Sequence, residues 1–236
     1  MTLNELVYDI KNLCYAGLGN DDSIISDKQI AHWINVERMA LIQAYFEKRR
    51  LFDPSLIQDL GCLEVSCIDK AECCNICINT EEHVYRTLLP IPTPISTPAY
   101  SMSNPALLSY VGLITYSDPF EFTSPSISAW SKYNKYTKNV IRAYYRNGYI
   151  YLDNVKNPYE LEFIAVRGIF QDPFEAGKHS SCDNCKTYDD PYPIPGYLVS
   201  DLKEVILKKY VPYIQQQVQD VRNDSKTLFA PNQKEG

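Results

Sequence analysis

Five of the chain's eight cysteines fall in two short stretches: Cys73, Cys74 and Cys77 in KAECCNICINTEE (70–82), and Cys182 and Cys185 in SSCDNCKTYDD (180–190). Cys74-x-x-Cys77 and Cys182-x-x-Cys185 have the spacing with which a tight turn presents two thiolates to one tetrahedral zinc ion, and two such pairs make a four-cysteine site. Against that chemistry, Cys77 and Cys182 are much further apart than ligand pairs of a compact zinc ribbon, and neither stretch contains a glycine to relieve the turn. Three readings stand for Cys74, Cys77, Cys182 and Cys185: free structural thiols, a structural metal site, or disulfides formed outside a reducing cell. No strand–helix context of the thioredoxin type flanks either pair, so redox catalysis is not expected.

Other reactive side chains are sparse. His32 falls at the start of a helical stretch, His83 in a strand-like one and His179 in a polar loop, and no two are spaced as ligands or as a base with its partner. Asp189 and Asp190 precede Pro191, where paired carboxylates form turns. A phosphate-cradling glycine loop, a serine elbow between glycines and a His-Glu-x-x-His helix are all missing. The chain therefore predicts no catalytic, cofactor-binding or metal residue, no cofactor and no enzyme activity.

Composition points the same way. Net charge is −6, and the only basic block is Lys48-Arg49-Arg50, so extensive gripping of a phosphate backbone is not expected. Those three residues sit where positive charge complements a helix C-terminus. Nineteen tyrosines offer large rings with a polar tip, which suits strands and wet interfaces. No apolar run approaches the ~20 residues of a membrane helix, and MTLNELVYDI lacks a basic head before an apolar stretch. A chain made and kept in a cytoplasm is the expectation.

Around these residues the hydrophobic period predicts three helices. Thr2 and Glu5 fit a capping box ahead of a helix over 3–15. Ser26 caps a second over 27–50, with Ile30, Trp33, Ile34, Ala40, Leu41, Ala44 and Tyr45 as its apolar stripe. A third covers 197–211 and ends or kinks at Pro212. Between them, 59–170 is β-rich. CLEVSC, HVYRTLL, YVGLITY and YELEFIAVRGIF read as strands, and VIRAYYRNGYIYLDN is a hairpin turning at Asn147-Gly148. Five prolines within 90–105 predict an extended arm, running over a surface or projecting, and 223–236 reads as a flexible tail. The expected fold is α+β in a single domain, 1–236: an N-terminal helical hairpin and a C-terminal helix packed with a small antiparallel sheet.

In this order, ISDKQIAHWINVERMALIQAYFEKRR, LGCLEVSCIDKAECCNIC, PIPTPI, GYIYLDN, VRGIFQDPFEAG, DDPYPIPGYLVSDLKEVIL and DVRNDSK resemble the head-to-tail connector, or adaptor, proteins of tailed phages, especially the crAss-like phages of gut Bacteroidetes. The resemblance spans about Ser26 to Asp224. It implies a structural virion protein: a dodecameric ring at the portal–tail junction, binding the portal protein and neighbouring tail ring proteins. DNA would pass through its lumen during ejection without sequence-specific binding, and no membrane would be involved. It implies assembly in the host bacterial cytoplasm and carries over no site residue. The alternatives are another tail ring or stopper protein of the same particle, or a zinc-stabilised phage-encoded binding module.

Overall fold

The structure, a computed structural model, describes residues 1–15, 25–49, 53–69, 83–97, 106–131, 133–136, 139–155, 161–179 and 187–227. Both cysteine clusters, the 98–105 part of the proline-rich arm and residues 228–236 lie outside the described residues.

α1 (Leu3–Cys14) starts at the predicted capping box: Glu5 N donates to Thr2 Oγ1 at 3.1 Å and Thr2 N to Glu5 Oε2 at 2.9 Å. α2 (Asp27–Arg49) begins after Ser26, whose Oγ accepts from Gln29 N at 3.2 Å. Its buried stripe differs from the predicted one. Ile30, Ile34, Arg38, Ile42 and Phe46 face inward at four-residue spacing, whereas Ala40 and Ala44 are exposed. An arginine in the middle of the stripe hid the true face from a hydrophobicity pattern.

β1 (Gln58–Asp69) organises the sheet, since its first half pairs with β7 (Phe163–Gly168) and its second with β2 (His83–Thr87), both antiparallel. A bulge between Asp59 and Cys62 shifts the register within the β1–β7 pairing. Gly61 supplies the left-handed backbone there (φ 74°), and its N–H bonds Asp59 Oδ1 at 2.9 Å. With β3 (Leu108–Leu113), β4 (Glu121–Phe122), β5 (Arg142–Arg146) and β6 (Tyr149–Asp153), the seven-stranded order is β3-β7-β1-β2-β6-β5-β4. Every pairing is antiparallel except β4 with β5, so the expected antiparallel sheet gains a two-residue parallel edge. The opposite edge, β3, is partly covered by its own return, where Phe120 N bonds Val111 O at 2.8 Å. Short or covered edges resist pairing with stray chains.

The β5–β6 hairpin turns at Asn147 (φ 51°) and Gly148 (φ 85°), as the dipeptide predicts. Its strands are buried on both faces. Ala143, Ile150 and Leu152 enter the main core, while Tyr144 and Tyr151 stack on the far side, 5.3 Å apart, beside Val84. The start of the arm is extended and docked: Ile95 N bonds Ile169 O at 2.8 Å, Gln171 N bonds Thr93 O at 2.9 Å, and Ile91 and Ile95 are buried.

Three short elements were not anticipated: a 3-10 turn at Pro54–Leu56, α3 (Pro125–Ser131) and α4 (Pro173–His179). Each follows an Asp or Ser that caps it and a proline in the first turn. Asp53 Oδ1 accepts from Ser55 N, Ser124 Oγ from Ile127 N, and Asp172 Oδ1 from Phe174 N. α4 lays Ala176 into the sheet core.

The last helix, α5 (Gly196–Thr227), corrects the expected end near 211 and the tail from 223. Pro212 lies inside it: proline forfeits one backbone bond, but its fixed φ is helical, so the backbone continues. Leu202 and Ile206 pack with Leu6, Ile10, Ile30 and Ile34 to form a helical core, distinct from the sheet core around Leu60, Ile164, Val166 and Phe170. A third cluster, Ile42, Phe46, Leu56, Ile95, Leu107 and Ile169, joins the two. The fold is α+β.

Candidate functional surface

Among the described residues, the histidines and paired carboxylates suspected of chemistry are dispersed. His32 is exposed on α2, His83 opens β2, and His179 ends α4 rather than lying in a loop. The helix captures His179 because Asp172-Pro173 starts it seven residues earlier. Asp190 accepts from Thr187 N and Oγ1 at 2.6 and 3.2 Å and organises a turn, and Asp189 accepts from Asn4 Nδ2 at 2.6 Å, tying that turn to α1. Among the described residues, no group of three or more His, Cys, Asp or Glu side chains could hold a metal ion. Cys14, Cys62 and Cys67 are free thiols, and burial pushes the Cys14 thiol up. Lys48 and Arg49 are exposed in the last turn of α2, with the Arg49 guanidinium 5.7 Å from the Tyr45 ring.

Buried charge serves the joints between layers. Arg38 donates from Nε to Pro193 O at 2.9 Å and from Nη1 to Phe170 O at 3.0 Å, tying α2 to the chain after β7 and to the approach to α5. Arg142, 1% exposed, pairs with Glu121 at 2.8 Å and fastens the β4 edge. Glu37, 4% exposed, accepts from Lys209 Nζ and Tyr210 Oη, both at 2.7 Å, while Trp33 stacks on Tyr210 at 4.4 Å. Burial pushes the Glu37 carboxyl up. The two hydrogen bonds and the Lys209 charge outweigh it and hold the group below its ordinary 4.5.

A carboxyl depressed on folding adds stability above its unfolded value and loses it as pH falls through the folded one. Glu37→Gln is therefore expected to cost about 1–2 kcal/mol at pH 7. That gap should close as the pH falls below 4.5. Thermal melts of both proteins across this range check it.

The outer surface is where the molecule is unusual. Trp130, Tyr133 and Tyr136 are 79%, 84% and 89% exposed, and Ile127 is exposed beside them. Ser128, fully buried, bonds the Asp153 carboxylate of β6 and turns this side of α3 outward. On the helical layer, α1 and α2 flank a groove of about 300 Å³, lined by Leu3, Val7, Tyr8 and Ala31 and closed by Tyr188. Near the β3 edge, Arg167 lies 3.8 Å from the Tyr116 ring and bonds Asp59 at 2.8 Å, while Tyr116 Oη bonds the same carboxylate at 2.6 Å. The three pin the 114–119 return onto β7.

Layer-joining buried charges and exposed aromatic rings fit a protein that works through contact with other proteins. Its family agrees: a family model described as phage tail ring protein 2 matches residues 5–234, and the chain belongs to that family, the tail ring proteins of crAss-like phages. Its role is structural and its place is the virion. No curated protein matches the chain. Pattern reading missed the α3 surface, because WSKYNKYTK has neither helical nor strand period; the Ser124-Pro125 start was the usable signal.

Proposed function

We propose that the whole chain acts as one connector domain, forming a homo-oligomeric ring, with twelve copies expected, at the junction of portal and tail. The match over residues 5–234 to a tail ring family carries this reading. Its position at the portal rests on the ordered segments from Ser26 to Asp224. The ring binds the portal protein above and neighbouring tail ring proteins below, assembles in the host bacterial cytoplasm, and acts without catalysis. DNA passes through its lumen during ejection. A net charge of −6 favours that task, since a wall that gripped phosphates would slow the passage. Among the described residues no helix is long and apolar enough to cross a membrane, and the proposal involves none.

An electron-microscopic reconstruction of particles carrying a tagged copy of the chain tests the position. The expected result is tag density in a twelvefold ring directly beneath the portal. Density in a ring nearer the hub, or in a plug closing the tail, would replace the connector with another tail ring or a stopper.

A further inference from the structure

β3 and β4 stand at the two ends of the strand order, yet they follow one another in the chain, joined by residues 114–120. The stretch 118–123 bonds both ends of the sheet at once. Toward β3, Leu113 N donates to Asp118 O at 3.3 Å and Phe120 N to Val111 O at 2.8 Å, with Gly112 paired opposite Pro119. Toward β5, Glu121 N donates to Ile141 O at 3.2 Å and Thr123 N to Ala143 O at 2.9 Å. Successive residues of an extended chain turn their peptide groups to opposite sides, so one strand can serve both neighbours. The packing agrees with a sheet closed on itself. Leu63, Tyr85, Val111, Ala143, Leu152 and Val166, one from each of the other six strands, share a single cluster with Phe120 and Phe122.

Two features are specific to this seam. A Cβ at Gly112 would lie 2.5 Å from Asp118 O, so the stretch approaches β3 only because that position has no side chain. Tyr116, in the turn before it, has φ 57°, a left-handed conformation that residues with side chains rarely adopt. Its contacts offset that local cost. The ring lies 3.8 Å from the Arg167 guanidinium and 5.2 Å from the Tyr110 ring, and Oη donates to the Asp59 carboxylate at 2.6 Å. Arg167 Nε donates to the same carboxylate at 2.8 Å. Further along, Glu121 pairs with the buried Arg142 of β5 at 2.8 Å.

We infer that the sheet is a closed barrel, that residues 118–123 are the strap that closes it, and that Tyr116, seated on Asp59 and Arg167, is the latch of the strap. Closure covers the rows of N–H and C=O groups that β3 and β5 would otherwise present along the seam. Identical copies held side by side are thereby kept from joining strand to strand here, and meet at this seam through side chains. That consequence rests on the ring reading above, whereas the barrel and its latch belong to the single chain.

Amide hydrogen exchange of the full chain, followed by nuclear magnetic resonance, tests the closure. The amides of Leu113, Phe120, Glu121 and Thr123 should all exchange at least about 100-fold more slowly than in an unstructured peptide. Free-peptide rates at Leu113 and Phe120, or at Glu121 and Thr123, would leave an open sheet and overturn the inference.

The latch is tested by Tyr116→Ala, which should speed exchange at Leu113 and Phe120 at least about tenfold while the β1–β2 ladder keeps its rates. Tyr116→Phe, which retains the ring over Arg167 and loses only the hydroxyl, should fall between the two. Unchanged rates at Leu113 and Phe120, or equal acceleration in the β1–β2 ladder, would overturn the latch. In tail particles, exchange of the peptide covering 108–123, read by mass spectrometry, should match that of the free chain. Faster exchange on assembly would mean that a neighbour's strand displaces the strap, and would overturn the side-chain contact while leaving the ring reading standing.

Discussion

Arg38→Ala is expected to lower the unfolding free energy by about 3–5 kcal/mol. For a chain of this size that corresponds to a fall of roughly 10 °C in melting temperature. Arg38 is fully buried in the middle of α2. Its Nε and Nη1 satisfy the carbonyls of Pro193 and Phe170 at 2.9 and 3.0 Å, and its guanidinium lies 5.6 Å from the Tyr192 ring. Truncation leaves both carbonyls without their donors and opens a cavity between the helical layer and the sheet. The two losses add, because neither acceptor can turn toward water without moving its backbone. Burial opposes the arginine's charge, and the fields of Tyr192 and Asp172 work against that effect. Arg38→Met should recover the packing part but not the hydrogen bonds. Arg49→Ala, at an exposed position, should stay within about 0.5 kcal/mol of the unaltered chain. Denaturant and thermal unfolding of the full chain measure all three.

Gly168→Val is expected to cost at least about 3 kcal/mol and to reduce the yield of folded protein. Gly168 is paired on both sides, with Gln58 of β1 and Leu108 of β3. A Cβ there would lie 2.9 Å from the Leu107 carbonyl oxygen and 2.6 Å from Leu108 Cδ2. The Leu108 methyl can swing aside, whereas the Leu107 carbonyl cannot, since its oxygen accepts from Ile169 N at 3.0 Å. Valine adds two further methyl groups to a site too small for one carbon. Gly196→Ala is the contrast: an added Cβ there meets nothing within 4 Å, and the change should be neutral or slightly stabilising. Equilibrium unfolding separates the two, and a Gly168→Val protein as stable as its parent would contradict the close approach of these strands.

Much of the fold was legible because local signals agreed with the tertiary outcome. The Thr2–Glu5 capping box, the Ser26 start of α2 and the Asn147-Gly148 turn each depend on residues within a few positions, so the sequence states them directly. The short helices failed for a related reason. α3 and α4 have seven residues each, too few to establish a period, and their Ser-Pro and Asp-Pro starts resemble ordinary turns until the helix is seen. Pro212, read as a stop or a kink, misled as to the helix's length, being an interior residue of α5. The candidate surface was legible only in composition. The lysines and rings of WSKYNKYTK are visible in the string, but the exposure of Trp130 on α3 depends on Ser128 facing inward.

By itself the sequence determined the class of the protein: an α+β chain whose ordered segments place it among the structural proteins of crAss-like phage tails. Such features are short-range, and each survives whatever the distant chain does. Only the tertiary structure decided which face of α2 is buried, since hydrophobicity cannot anticipate an arginine whose acceptors, Phe170 O and Pro193 O, lie more than a hundred residues away. It also decided that Glu37 meets Lys209, that the proline-rich stretch at 90–97 docks, and that Trp130 stays bare. These outcomes depend on which distant groups arrive in the same place, and burial is a property of that arrangement rather than of any residue type.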